Sequence, residues 1–219
     1  MTIEYLGHAS FLLTTAAGTR IVTDPFDPAK YEDGSFRYRA FDGSADIVTL
    51  SHDHRDHNGA QTVGGSPIII KGNGKFLAKE VEFLGVGTWH DDERGAKRGG
   101  NTVFIMSVDG LRIAHMGDLG HVLTADQAAQ IGNVDVALIP VGGFYTIDAA
   151  QAWEVANQID AQVIIPMHFL TEKCDFPIAG VEAFIEDRPR VRREGATKLE
   201  IDRDSMPDEQ CVVVLEPSR

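Results

Sequence analysis

Cysteine is nearly absent from this chain. Cys174 and Cys211 are the only two, and nothing in their spacing suggests a disulfide framework. Both are expected as free buried thiols in a reducing compartment. Long apolar runs are missing too: none approaches the ~20 residues that span a bilayer. The segment Met1 to Leu13 has no basic n-region and no small-residue cleavage site, which argues against a secretory signal. The expectation is a cytoplasmic protein with no membrane partner. There is no internal repeat, low-complexity tract or long Pro/Ser linker, so the 219 residues are read as one domain, 1–219, large enough to bury a core. Positive charge is also short, with 20 Lys and Arg against 33 Asp and Glu, a net charge of −13. Such a surface repels polyanions and disfavours nonspecific nucleic-acid binding. Two basic clusters run against this trend: Arg94, Lys97 and Arg98, and Arg188, Arg190, Arg192 and Arg193. Both are interleaved with or flanked by acidic residues and read as solvated surface.

Short runs rich in Val, Ile, Leu and Phe recur throughout, most of them bounded by Gly, Pro, Asp or Asn. Strands are expected at Ile3–Leu6, Phe11–Thr15, Arg20–Thr23, Ile47–Leu50, Pro67–Lys71, Thr102–Val108, Leu111–His115, Val134–Pro140, Val163–Pro166, Lys198–Ile201 and Cys211–Leu215. Asp109-Gly110 reads as a tight hairpin turn. Helices are fewer. Thr124 to Ile131 opens on a capping box, Thr124 with Gln127; Ile147 to Ile159 is rich in Ala, with Thr146 as its N-cap; Ile178 to Glu186 ends before Pro189. Many strands with a few helices predict an α+β fold or sheet packed on sheet with helices outside.

The segment Ile47 to His57 carries the strongest chemical signal. An apolar strand leads directly into His52, His54, Asp56 and His57. Residues i and i+2 of an extended chain share a face, so His52 and His54 can address one ion. Asp56 and His57 are adjacent and cannot both follow that geometry; a helical turn there would carry them to a second ion. Nitrogen ligands with some carboxylate suit zinc and other borderline divalent metals. A chance match to this set is on the order of one in a thousand for a chain this long.

Further ligands are sought where other strands end. Asp118 follows Ala114-His115-Met116-Gly117, His168 follows Val163 to Met167, and His90 follows Val86-Gly87-Thr88-Trp89 ahead of a charged, Gly-rich loop. Sites built from loops on a rigid scaffold are common. His115 is the rival to His90. An odd offset of three puts His115 on the face opposite Asp118, so His115 is expected in the core and His90 at the metals. His8 is either a hydrogen-bonded loop residue or a substrate contact. Asp24 is either a turn residue or an acceptor for the ring N–H of a ligating His. His121 reaches substrate or lies exposed, Tyr145 is a candidate donor to a substrate oxygen, and Asn101 is a turn signal.

These residues resemble the metallo-β-lactamase superfamily: the HxHxDH signature at His52–His57, a later strand-end His, a Gly-Asp and a final strand-end His. Leu6-Gly7-His8-Ala9-Ser10-Phe11, Thr23-Asp24-Pro25-Phe26, Gly117-Asp118-Leu119-Gly120-His121 and Pro166-Met167-His168 resemble its branch of small bacterial metal-dependent hydrolases related to ascorbate-6-phosphate lactonase. The resemblance covers nearly the whole chain and implies a four-layer αββα sandwich. It implies two divalent metal ions, zinc first and manganese second, with His52, His54 and His90 on one, Asp56, His57 and His168 on the other, and Asp118 bridging. The interval from His57 to His90 is short for that family, which compresses the helix expected after the motif. The expected activity is a dinuclear metal-dependent hydrolase in which a metal-bound hydroxide, oriented by Asp56, attacks a small lactone, ester or phosphoester. His8, His121 and Tyr145 are its candidate substrate-side residues. A small-nucleotide phosphodiesterase, a non-catalytic metal-binding scaffold and a redox di-iron site are the alternatives.

Overall fold

The computed structural model describes residues 1–193 and 195–219. In chain order the strands begin with β1 (Thr2–Gly7), β2 (Ser10–Thr14), β3 (Arg20–Thr23), β4 (Ile47–Leu50), β5 (Ile68–Lys71), β6 (Gly74–Ala78), β7 (Val81–Trp89), β8 (Gly100–Val108) and β9 (Leu111–His115). Helix α1 (Ala125–Ile131), β10 (Val136–Pro140), α2 (Ala149–Gln158), β11 (Val163–Met167), α3 (Glu182–Ile185), β12 (Val191–Arg193), β13 (Lys198–Glu200) and β14 (Cys211–Val214) follow. They form two sheets. One has the order β13-β1-β2-β3-β4-β5, the other β12-β14-β11-β10-β9-β8-β7-β6. Neighbours early in each sheet's chain order pair antiparallel, as in β1 with β2 and β7 with β8. The crossover pairs β3 with β4 and β10 with β11 are parallel, whereas β13 returns antiparallel to β1.

Strand alternation explains the layering. In β1 to β4, Ile3, Tyr5, Phe11, Leu13, Ile21 and Ile47 enter the large core shared with the second sheet. The intervening Leu6, Leu12, Val22 and Val48 form a separate cluster with Phe41, Ala45 and Val63 on the other face, as a period of two requires. Helix α1 packs on β7 and α2 on β10. The expected αββα sandwich is therefore present, with one qualification. On the six-stranded sheet the outer layer among the described residues is loop and a one-turn 3-10 helix, Ala60–Thr62, rather than an α-helix. This is where the short interval after the histidine motif leaves its mark. The edge strands β5 of this sheet and β6 of the other expose Ile68, Ile69 and Leu77.

Several local expectations hold for the stated reasons. The capping box of α1 is formed by Thr124 and Gln127, and Asp109 (φ 53°) and Gly110 (φ 73°) make the hairpin turn with both residues left-handed. Others need correction. The N-cap of α2 is Asp148, which closes a capping box with Gln151; Thr146 is buried and gives its hydroxyl to the Ile147 carbonyl at 3.3 Å. The helix expected over Ile178–Glu186 shrinks to the single turn of α3. Strands β6 and β12 were not expected, β7 begins at Val81, ahead of the strand end expected at Val86–Trp89, and part of the second basic cluster lies in β12. Both cysteines are free and buried. No described helix is long and apolar enough to cross a membrane.

Candidate metal centre

Six strand ends deliver polar side chains to one place. His8 follows β1, Asp24 follows β3, His52 to His57 follow β4, His90 follows β7, Asp118 lies beyond β9, and His168 follows β11. After β4 the chain makes a tight turn instead of a helix: the His57 and Asn58 amides both donate to the His54 carbonyl, at 3.0 and 3.1 Å. That turn is enough to separate Asp56 and His57 from His52 and His54. Three of these residues, His8 (φ 55°), Asp24 (φ 39°) and His168 (φ 51°), have left-handed backbones.

Asp118 sits at the centre. Its Oδ2 lies 3.1 Å from His90 Nε2, 3.2 Å from His57 Nε2, 3.4 Å from His168 Nε2 and 3.8 Å from His52 Nε2. The ligand atoms divide into two principal groups able to hold an ion, His52, His54 and His90, and His8, Asp56, His57 and His168. The first group has its rings 4.6 to 5.0 Å apart. His115 is in neither group. Its ring is buried and its Nε2 lies 2.7 Å from the Ala9 carbonyl, as the parity argument expects.

The outer contacts are specific. Asp24 Oδ2 meets His57 Nδ1 at 2.9 Å, and its Oδ1 accepts the Ser51 amide at 2.7 Å. The Ser51 hydroxyl donates to the same carboxylate and lies 2.9 Å from His52 Nδ1. Asp24 is thus an acceptor for the histidine ring rather than only a turn residue. His8 Nε2 lies 3.0 Å from Asp56 Oδ2, its ring 4.1 Å from that of His168. Its carbonyl accepts from Tyr5 Oη and from the His168 amide, both at 2.8 Å.

Asn101 was read as a turn residue, yet it is buried in β8. Its amide nitrogen donates to Thr88 Oγ1 at 2.8 Å and to the Met116 carbonyl at 2.9 Å, while its Oδ1 accepts the Asp118 amide at 3.0 Å. It fixes the backbone that carries the central carboxylate. Gly117 (φ 55°) has to be glycine there: a Cβ would collide with Asn101 Oδ1 and the Ser51 side chain. No sequence signal distinguished this Asn from an ordinary Gly-Gly-Asn turn.

His121 does not reach the site. Its Nε2 accepts the Trp89 amide at 3.1 Å and its Nδ1 donates to the Val122 carbonyl at 2.7 Å. With both ring nitrogens engaged, it braces the end of β7 instead of facing substrate. Tyr145 does line the pocket of about 430 Å³ above the histidines, together with Tyr31, Arg55, Arg98 and Phe176.

The electrostatics suit neutral imidazoles around anionic carboxylates. Burial, reinforced by the neighbouring His57, pushes His52 down to about 3; burial and His168 push His8 down to about 4. Burial also opposes charge on Asp118, but His168 and His57 outweigh it and hold the carboxyl well below the usual range. His57 is the exception among the rings: burial disfavours its cation, yet Asp118 and Asp56 raise its pKa well above the ordinary value. Nε2 of His52, Nε2 of His57 and Oδ1 of Asp118 are buried without a hydrogen-bond partner among the described residues. Buried polar atoms are nearly always satisfied. Several orphaned lone-pair donors aimed at one point fit a divalent cation, and this donor set suits zinc or a similar metal.

The comparisons agree with this geometry. The sequence model described as "Beta-lactamase superfamily domain" matches residues 2–168. The chain belongs to the metallo-β-lactamase superfamily. A protein of Archaeoglobus fulgidus named UPF0173 metal-dependent hydrolase is 31% identical over 230 residues, covering 89% of this chain and 92% of the relative. One of Methanospirillum hungatei with the same name is 31% identical over 196 residues, 78% of this chain and 84% of the relative. A crystal structure from Thermotoga maritima, described as a candidate Zn-dependent hydrolase of this superfamily, superposes with a TM-score of 0.81 at 39% identity over 98% of each chain. The family match ends at His168, the last of the strand-end histidines.

Proposed function

We propose that this protein is a dinuclear metal-dependent hydrolase of small esters, lactones or phosphoesters. The observation that carries the reading is the single carboxylate oxygen of Asp118 within 3.1 to 3.8 Å of four imidazole Nε2 atoms. His52, His54 and His90 would hold one ion, Asp56, His57 and His168 the other, with Asp118 shared. Zinc is the first expectation and manganese the second. When bound, such ions supply Lewis acidity, which brings the pKa of water toward ~7 and polarises the attacked oxygen.

The chain's own residues do the rest. Asp56, lining the pocket with a small part of its side chain exposed, orients the attacking water and takes its proton. His8, kept neutral, donates Nε2–H to Asp56 and fixes that carboxylate; it acts through Asp56 rather than on substrate. Asp24 accepts from His57 Nδ1–H and so presents Nε2 to the site. Tyr145 stands at the pocket wall, where its hydroxyl can donate to a substrate oxygen. The resemblance of the Gly7-His8 and Pro166-Met167-His168 segments to ascorbate-6-phosphate lactonase supports including lactones among the substrates.

The test is elemental analysis of protein purified without chelator, followed by a screen of aryl esters, lactones and phosphodiesters. The expected result is close to two divalent ions per chain, with activity abolished by chelation and restored by metal. Hydrolysis that survives complete metal removal overturns the reading. Two bound metals with no turnover of any substrate class favour the scaffold instead.

A further inference from the structure

The pocket over the histidines carries two arginines that the proposed chemistry does not use. Arg55 lies inside the histidine motif, and its guanidinium sits 4.0 Å from the centre of the Tyr31 ring. Arg98 leaves the loop after His90 and lies 5.5 Å from the centre of the Tyr145 ring, with Nη2 donating to the Phe144 carbonyl at 3.2 Å. Phe176 connects the two supports, its ring 6.0 Å from Tyr31 and 6.1 Å from Tyr145. One aromatic wall therefore bears a guanidinium at each end, and all five side chains line the same pocket.

These arginines are held rather than loose. Tyr31 is buried and stacks on Phe36 at 4.7 Å, so the platform under Arg55 is rigid. The loop that carries Arg98 is tied down by Asp91, whose carboxylate accepts the amides of Glu93, Gly95, Lys97 and Arg98 at 2.7 to 2.9 Å. Lys97 on that loop is spent on Asp92 and Glu93. Among the described residues neither Arg55 nor Arg98 forms an ion pair with a carboxylate. In a chain of net charge −13, these two guanidinia share the pocket with Asp53, Asp56 and Asp118, of which Asp56 and Asp118 are assigned to the metals. Reading Arg98 as solvated surface, as its mixed-charge neighbourhood suggested, misses that it is half-buried.

We propose that Arg55 and Arg98 clamp an oxyanion of the substrate, a phosphate or carboxylate group remote from the bond that breaks. A guanidinium presents a planar fork matched to the paired oxygens of either group. The tyrosine ring limits the plane of each fork; Arg55 Nη1 reaches the Lys30 carbonyl at 3.5 Å and Arg98 Nη2 the Phe144 carbonyl at 3.2 Å, and each guanidinium, with five N–H donors, keeps others for a ligand. The substrate class is thus a small anionic ester, lactone or phosphoester, its charged end on the aromatic wall and its scissile end toward Asp118. Placing the scissile end rests on the hydrolase reading; the anion site itself does not.

The test is calorimetric titration of the metal-loaded protein with inorganic phosphate and, separately, with malonate. The variants are Arg55→Gln, Arg98→Gln and the control Arg188→Gln, which removes an arginine stacked on Trp153 4.5 Å away and outside the pocket. The expected result is affinity weakened about tenfold or more in each pocket variant, as loss of a charge-assisted hydrogen bond implies. Metal content should stay at the wild-type level and the control at wild-type affinity. Which anion loses more identifies the group the clamp takes. No binding of either anion to the wild type, or equal binding by wild type and both pocket variants, overturns the proposal whether or not any ester is hydrolysed. If turnover is found, the ratio of kcat/KM for a carboxylate- or phosphate-bearing substrate over its neutral counterpart should fall in both pocket variants, mainly through KM. A ratio unchanged in both also overturns it.

Discussion

The two halves of the histidine cluster are built to different standards. His57, His168 and His8 are fully buried, and His57 is fixed from behind by a carboxylate that also binds Ser51. In the other trio His54 is exposed, while the His52 and His90 side chains are covered, at 4% and 3%. The buried half is set by the fold itself, because its residues hang from β1, β3, β4 and β11 and hydrogen-bond to one another. The open half meets the pocket at His54 and His90, where the buried half contributes Asp56 and His168. Rigidity on one side and access on the other is a division of labour suited to a site that must hold metal and exchange ligands.

The strongest way to break the comparison is to remove what the halves share. Asp118→Ala is expected to lower both metal occupancy and hydrolysis by at least about a hundredfold, more than loss of an outer partner alone; equilibrium dialysis and steady-state rates check this. Next come paired variants. His57→Ala should cost metal and also about 3–5 kcal/mol of stability, since it leaves the Asp24 charge buried without its partner. His54→Ala should cost metal with little change in Tm. Similar Tm losses in the two would erase the asymmetry. Asp24→Ala should weaken metal binding about 10- to 100-fold through His57, read by competition with a chromogenic chelator. His115→Ala sharpens the comparison from outside it: loss of a buried ring and its bond to Ala9 should lower Tm by roughly 5–10 °C with metal content unchanged by elemental analysis.

The sequence reading captured the strand-end ligands because each apolar run stops where its polar residue begins. It also separated His90 from His115, since a count of three along a strand changes face. Of β7 (Val81–Trp89), the strand that carries His90, it found only the end, Val86–Trp89. Gly85 and Gly87 dilute its apolar pattern, and at Gly85 glycine is required, because a Cβ would collide with the Gly72 carbonyl; at Gly87 it would press on the Asn73 side chain. Asn101 failed for the opposite reason, being a turn residue by type that is used as a buried strut. Arg55 and Phe176 carry no local signal at all. One is the variable position of a histidine motif, the other an isolated aromatic in a loop, and only the tertiary fold brings them together. The second basic cluster is solvated as expected, its four arginines exposed, but β12 within it gave no signal, because it is three residues long and is held by its parallel pairing with β14, not by its own propensity.

The left-handed backbones of His8, Asp24 and His168 have a consequence for the protein's evolution. Each such residue costs about 1–3 kcal/mol relative to an unstrained conformation, in a fold whose whole stability is expected to be only about 5–15 kcal/mol. Glycine at these three positions would relieve the strain and remove the side chains that do the work. Selection on thermal robustness alone would therefore pull this chain away from its chemistry. Two histidines and an aspartate standing where glycine would be least strained is the pattern expected of a site kept at a cost in stability.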